Sequence, residues 1–139
     1  MAGTFQLEVV SATRMVWEGE AERLIVRTTE GELGVLPRHA PLIALLVPSA
    51  TFAVAADGRA EVFMVDGGFL SVAEGRVSLI SQYARLGREI SLSEAEHEFA
   101  EAERRLNAGE TDYENIQHYQ RAKAQIAAAR HYQQSQSAQ

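Results

Sequence analysis

Two periodicities divide the chain. In the first, apolar and polar residues alternate, as in Phe5, Leu7 and Val9, the pattern of a half-buried strand. Leu24-Ile25-Val26 is a short apolar run bounded by charge. Thr51 to Ala56 and Glu61 to Val65 flank Asp57-Gly58, a dipeptide that predicts a hairpin turn with positive φ at both positions. Asp66-Gly67-Gly68 precedes a strand over Phe69 to Ala73, and Glu74-Gly75-Arg76 separates it from Val77 to Ser81. Strands and turns at this spacing predict an antiparallel β-sandwich over residues 1–86.

After a hinge at 87–90 the spacing becomes helical. Leu92, Ala95, Phe99, Ala102 and Leu106 share one face. Ser91 and Glu94 have the spacing of a capping box, and Gly109 suits the left-handed position that ends a helix. Thr111 or Asp112 caps a second helix with a stripe of Tyr113, Ile116, Tyr119, Ala122, Ile126 and Ala129. So short a connection makes the two helices antiparallel, an α-helical hairpin over 91–132 followed by a flexible tail at 133–139. The stripes are narrow and rich in alanine, so the hairpin depends on the sandwich or on a partner for stability and is suited to be a moving part.

Charge separates the two helices. Glu94, Glu96, Glu98, Glu101 and Glu103 lie on the first, whereas Arg121, Lys123 and Arg130 face Glu114 alone on the second. Two solvated faces of complementary sign and a partner-binding face both fit that pattern. The net charge of −6 argues against nucleic acid as a partner. The first residues lack the basic-then-apolar order of a secretory signal, and the apolar run Pro41 to Val47 is too short to span a bilayer. Any membrane association is therefore expected to come through a partner.

Motifs that carry chemistry are scarce. The 4 histidines, His39, His97, His118 and His131, show no zinc-binding spacing, and there are no cysteines. No Gly-x-Ser-x-Gly elbow and no phosphate-cradling loop is present, and Gly67-Gly68 leads into a strand where a dinucleotide site needs a helix. No catalytic residue, metal or cofactor is expected. A stand-alone sandwich that binds a small ligand is the alternative reading, with an enzyme third; fold alone separates none of these. The single Trp17 and the 5 phenylalanines make no obvious platform, being scattered mostly at strand-core spacing.

The segment Glu30-Gly31-Glu32-Leu33-Gly34-Val35-Leu36-Pro37-Arg38-His39-Ala40-Pro41-Leu42 stands apart. A hairpin connection accounts for its glycines and prolines, but not for Glu32, Arg38 and His39. The segment resembles the signature of the epsilon subunit of F-type ATP synthases. Val9-Val10-Ser11, Gly67-Gly68-Phe69, Val77-Ser78-Leu79-Ile80 and Ala102-Glu103-Arg104-Arg105-Leu106 extend the resemblance over nearly the whole chain in one register. Pro48-Ser49 is a small departure, at a place where the family usually has glycine.

The resemblance implies a sandwich followed by two antiparallel helices, and a non-catalytic role in the central rotor that couples F1 to the c-ring. It implies a sandwich clamped to the gamma subunit and a loop, Glu30, Gly31, Glu32 and Gly34, set on the c-ring, with Glu32 in direct contact. His39 matches a gamma-facing histidine. The helices are implied to fold against the sandwich or to extend toward the catalytic α and β subunits, where Arg121, Lys123 and Arg130 form a basic, inhibitory face. A peripheral position on the cytoplasmic face of the cell membrane follows. Some members bind ATP through Ile/Leu-Asp-x-x-Arg-Ala. Here the aligned residues run from Ile90 to Ala95, with Ser91 replacing the aspartate and Glu94 the arginine, so weak or absent ATP binding is expected.

Overall fold

The computed structural model describes residues 3–137. Strands β1 (Phe5–Val10), β2 (Met15–Thr28), β3 (Gly31–Val35), β4 (Leu42–Leu45), β5 (Ser49–Ala55), β6 (Ala60–Val65), β7 (Phe69–Ala73), β8 (Arg76–Ile80) and β9 (Ala84–Leu86) come first. A 3₁₀ turn (Gly87–Glu89) leads to helices α1 (Leu92–Asn107) and α2 (Tyr113–Ser137). The sheet order is β4-β7-β8-β1-β2-β5-β6-β9, with β3 added to β2. Every pairing is antiparallel except β1 with β8, so the expected antiparallel sandwich contains one parallel pair.

The long β2 folds this sheet over on itself. It pairs with β1 through its first half and with both β3 and β5 through its second. Register shifts interrupt its ladder with β1 and its ladder with β5. Such irregularities bend a strand and let one sheet close around a core. Phe5, Leu7 and Val9 from β1, Leu24 and Val26 from β2, Leu70 and Val72 from β7, and Val77 and Leu79 from β8 fill that core.

β6 is buried on both faces. Its run Val62-Phe63-Met64-Val65 does not alternate, and alternate residues serve different clusters. Phe63 and Val65 join the sandwich core, whereas Val62 and Met64 join a second cluster with Ile90, Ala95, Ala124, Ala128 and Ala129. α2 thus lies on β5, β6 and the 3₁₀ turn, and α1 packs on α2. The expected stripe of α2 is only half right. Tyr113 and Ile116 are exposed near the hairpin tip, while the buried residues Ala122, Ala124, Gln125, Ala128 and Ala129 spread over two sides, because α2 is covered by both α1 and the sheet. An alanine methyl contributes about 0.8 kcal/mol on burial, against about 1.5–3 kcal/mol for a leucine or phenylalanine side chain. The hairpin's apolar seam is weak.

The turn chemistry departs from expectation at one hairpin. At Asp57-Gly58 only Gly58 has positive φ, because Gly58 N–H bonds to Ala55 C=O and Ala55 N–H to Arg59 C=O. That is a one-handed turn followed by a bulge, not the two-residue turn expected. The two-residue form occurs instead at Glu74-Gly75, both with positive φ, where Ala73 pairs with Arg76. At the helix ends, Ser91 accepts Glu94 N–H as an N-cap, and Asp112 accepts Asn115 N–H. Gly109 closes α1: its N–H bonds to Leu106 C=O, and Glu110 N–H bonds to Arg105 C=O. The region 87–90 is not slack, since Gly87 is buried and Ile90 joins the second cluster. The tail expected to be flexible from 133 continues α2 to Ser137; residues 138–139 lie outside the described residues.

One glycine tests this architecture. Gly68 has φ +97°, and a Cβ there would lie 2.0 Å from the Ile80 carbonyl oxygen. Its own carbonyl accepts Leu46 N–H. Gly68→Ala should cost at least about 2 kcal/mol in urea unfolding, because αL strain and a backbone clash add. Gly34→Ala, where an added methyl meets open space, should cost less than about 1 kcal/mol.

Candidate functional site

The expected contact loop is the hairpin between β2 and β3. Thr28 Oγ1 donates to Gly31 C=O (2.7 Å) and accepts Glu30 N–H (3.1 Å), which fixes the turn, and Gly31 supplies φ +114°. Leu33 and Val35 point to the core, so Glu32 and Gly34 point outward. Glu32 is exposed, with Arg27 across the hairpin at 3.9 Å. The turn is held against β4: Thr29 N–H bonds to Leu45 C=O (3.0 Å), and Thr28 bridges Leu46. His39 follows Arg38, which takes φ 69°; its Nδ1 lies 2.8 Å from Ala40 C=O.

A surface that the sequence reading did not single out begins at the same corner. Leu45 pairs with Phe69, Phe69 with Ile80, Ile80 with Val10, and Val10 with Met15. Partners in register present side chains to one face. Leu45, Phe69, Ile80 and Met15 are all exposed, at 62%, 38%, 38% and 45%. The next row is Ile43, Ser71, Ser78, Glu8 and Glu18, where Ser78 Oγ donates to Glu8 at 2.8 Å. The outer face is therefore apolar along one end row, and in the next row polar except at the exposed Ile43. The signal was legible in outline: each of these residues breaks the polar side of its strand's alternation. Of the phenylalanines, only Phe5 and Phe63 lie in the sandwich core; Phe52 meets His131 of α2, and Phe99 meets Tyr119 between the helices.

The three basic residues of α2 do not form one face. Arg121 turns to the sandwich, with Nη2 2.7 Å and Nε 2.8 Å from Asp66 Oδ2 and its guanidinium 4.6 Å from the centre of the Tyr83 ring. Arg130 pairs with Glu96 of α1 at 3.1 Å. Lys123 lines a cleft of about 300 Å³ between α2 and the sheet, together with Arg27, Glu32 and His131. In this compact arrangement Lys123 and Arg130, seven positions apart, share one side of α2 and line a cleft with Glu96, whereas Arg121 is turned to the sandwich. The segment Ile90 to Ala95, expected to be a degenerate nucleotide motif, packs and caps α1. Ile90 and Ala95 are buried, Ser91 caps α1, and Glu94 stands in solvent.

Glu89 is held by a cation from across the sandwich. Arg14 beside Glu89 holds that carboxyl below its ordinary value against the opposing cost of burial, and Leu86 N–H also bonds to it. This pair ties the β1–β2 turn to the hinge (2.6 Å). Among the described residues no cluster of acids and histidines could hold a metal, and no helix is long and apolar enough to cross a membrane.

Comparison with known proteins agrees with this layout. Residues 4–87 match the family described as ATP synthase, Delta/Epsilon chain, beta-sandwich domain. The ATP synthase epsilon chain of Cutibacterium acnes is 44% identical over 133 residues, covering 90% of this chain and 91% of that protein. That of Streptomyces avermitilis is 40% identical over 102 residues, covering 73% and 82%. In fold, the chain is similar to one from the OSCP/F1/c-ring part of the Euglena gracilis mitochondrial ATP synthase, with a TM-score of 0.70 at 19% identity, over 95% of this chain and 81% of that one. The stand-alone ligand-binding reading gives way to these matches. The chain belongs to the ATP synthase epsilon chains, non-catalytic subunits of the ATP synthase complex.

Proposed function

We propose that this chain joins the gamma subunit to the c-ring in the central stalk through one corner of its sandwich. The adjacency of two surfaces there carries the reading. The apolar row starts at Leu45, whose carbonyl is bonded to the turn that carries Glu30, Gly31 and Glu32. Exposed apolar residues in a contiguous row, including an aromatic and a methionine, favour burial against a protein partner. The exposed carboxylates on a fixed edge hairpin instead favour a polar or basic loop. In this reading the row faces gamma, Glu30, Gly31, Glu32 and Gly34 face the c-ring, and His39, at the far end of β3 from that turn, is a further gamma-facing residue. Membrane association then comes through the complex, at the cytoplasmic face of the cell membrane. The helical hairpin is regulatory: released from the sheet, it extends toward the α and β subunits and inhibits ATP hydrolysis.

Phe69→Asp or Leu45→Asp tests the gamma surface. Both positions are exposed, so the sandwich should keep its unfolding midpoint. Affinity for gamma should fall by 2 kcal/mol or more, about thirtyfold, in a binding titration. Unchanged binding by both variants removes the row from the interface. For the second surface, Glu32→Cys should form a disulfide with a cysteine placed in the polar loop of the c-ring in assembled enzyme. Normal assembly without that product places the c-ring elsewhere.

ATP binding by the isolated chain should be absent at micromolar concentrations. Glu94 sets a negative charge near the start of α1, where the ligand would bring its own. Loss of a guanidinium contact and added repulsion together amount to about 2–4 kcal/mol, two to three decades in affinity. Isothermal titration with a micromolar dissociation constant contradicts this.

A further inference from the structure

We infer that the docking of the helical hairpin is governed by a polar latch centred on Asp66 and Arg121, and that Arg121 is therefore a determinant of the compact form. The inference deepens the regulatory reading of the hairpin and rests on it for its consequence in the complex. Asp66 sits between β6 and β7, with its side chain only 5% exposed. Its backbone is fixed from within the sandwich, since its N–H bonds to Tyr83 C=O (2.9 Å) and lies 3.1 Å from Ser81 Oγ. Its counter-charge comes from α2. Arg121 directs two nitrogens to Oδ2, while Oδ1 is buried without a hydrogen-bond partner. A carboxylate so enclosed leans on one cation, and losing that cation is costlier than losing an exposed pair.

The latch has a reciprocal half one helical turn on. Gln125, also buried, accepts from Arg85 of β9 at 3.2 Å. Tyr83 lies between the two arginines: Arg121 stacks on its ring, and Arg85 lies 3.3 Å from its hydroxyl. Arg85 also donates to Glu89 C=O at 2.8 Å, which reaches the hinge. Sandwich and helix each contribute an arginine to an acceptor on the other. The buried apolar residues that α2 contributes beside them are alanines, whose burial contributes little each. Small apolar contacts plus one polar network give docking that is specific yet reversible.

The assignment changes what Arg121 does. While paired with Asp66 it is not available to an acidic surface on another subunit. Removing it should favour the released hairpin, so in the complex Arg121→Met should lower ATP hydrolysis, the opposite of deleting the helices.

The test uses the intact isolated chain, which has no cysteine of its own. Spin labels at Arg59→Cys and Gln134→Cys, residues of the β5–β6 turn and of α2, report the distance between the two parts. Asp66→Asn and Arg121→Met should each raise the ratio of released to docked hairpin about tenfold or more, the scale of a hydrogen bond to a charged group. The double variant should add little to either single one. Arg121→Met leaves the sandwich sequence intact, so a folding defect in Asp66→Asn cannot mimic the result. An unchanged ratio in Arg121→Met, or fully additive effects in the double variant, overturns the latch. Neither outcome touches the gamma and c-ring assignments, which stand or fall on the sandwich variants.

Discussion

Much of this structure depends on β6 being covered twice. Phe63 and Val65 close the sandwich from one side, and Val62 and Met64 provide the apolar floor for α2 on the other. A strand with two buried faces cannot be slid by one residue without exchanging its two sets of partners. The same strand therefore fixes the register of the sandwich and the place where the hairpin lands. Asp66 follows directly at its end, which is why the charged latch sits beside that apolar floor.

The two sides of this strand are unequal. The sandwich side packs mainly on leucines, valines and Phe5 of the other strands, whereas the buried apolar residues that α2 brings to the other side are alanines, beside the polar pairs around Tyr83. Strength is thus concentrated where a rotor subunit needs a rigid body, and the weaker seam is that of the hairpin. The outer apolar row lies in the rigid part, on strands β4, β7, β8, β1 and β2, and does not involve the hairpin. Release of the helices can therefore leave the proposed stalk contacts in place.

How much was legible in the sequence follows from how local each signal is. Alternation at Phe5, Leu7 and Val9, the cap at Ser91 and the close at Gly109 depend on near neighbours, and they were read correctly. The parallel pairing of β1 with β8 joins residues far apart in the chain, and periodicity carries no information about that. The row from Leu45 to Met15 was missed for the same reason, since cross-strand register assembles it from five strands. Arg121 illustrates the limit most clearly. Its charge was visible, but its partner Asp66 is 55 positions away and only the fold brings the two together. The resemblance identified the family, but the disposition of the basic residues in the compact form had to come from the structure.

The central claim is that one chain holds a rigid sandwich and a separately releasable hairpin. Native-state amide hydrogen exchange on the intact chain tests it most directly, because it reads the opening free energy of each element. α1 and α2 should exchange through an opening at least 1.4 kcal/mol less costly than that of β1, β6 and β8, a factor of ten or more in protection. Equal protection of helices and strands, with all of them lost together in one global unfolding, would contradict the account.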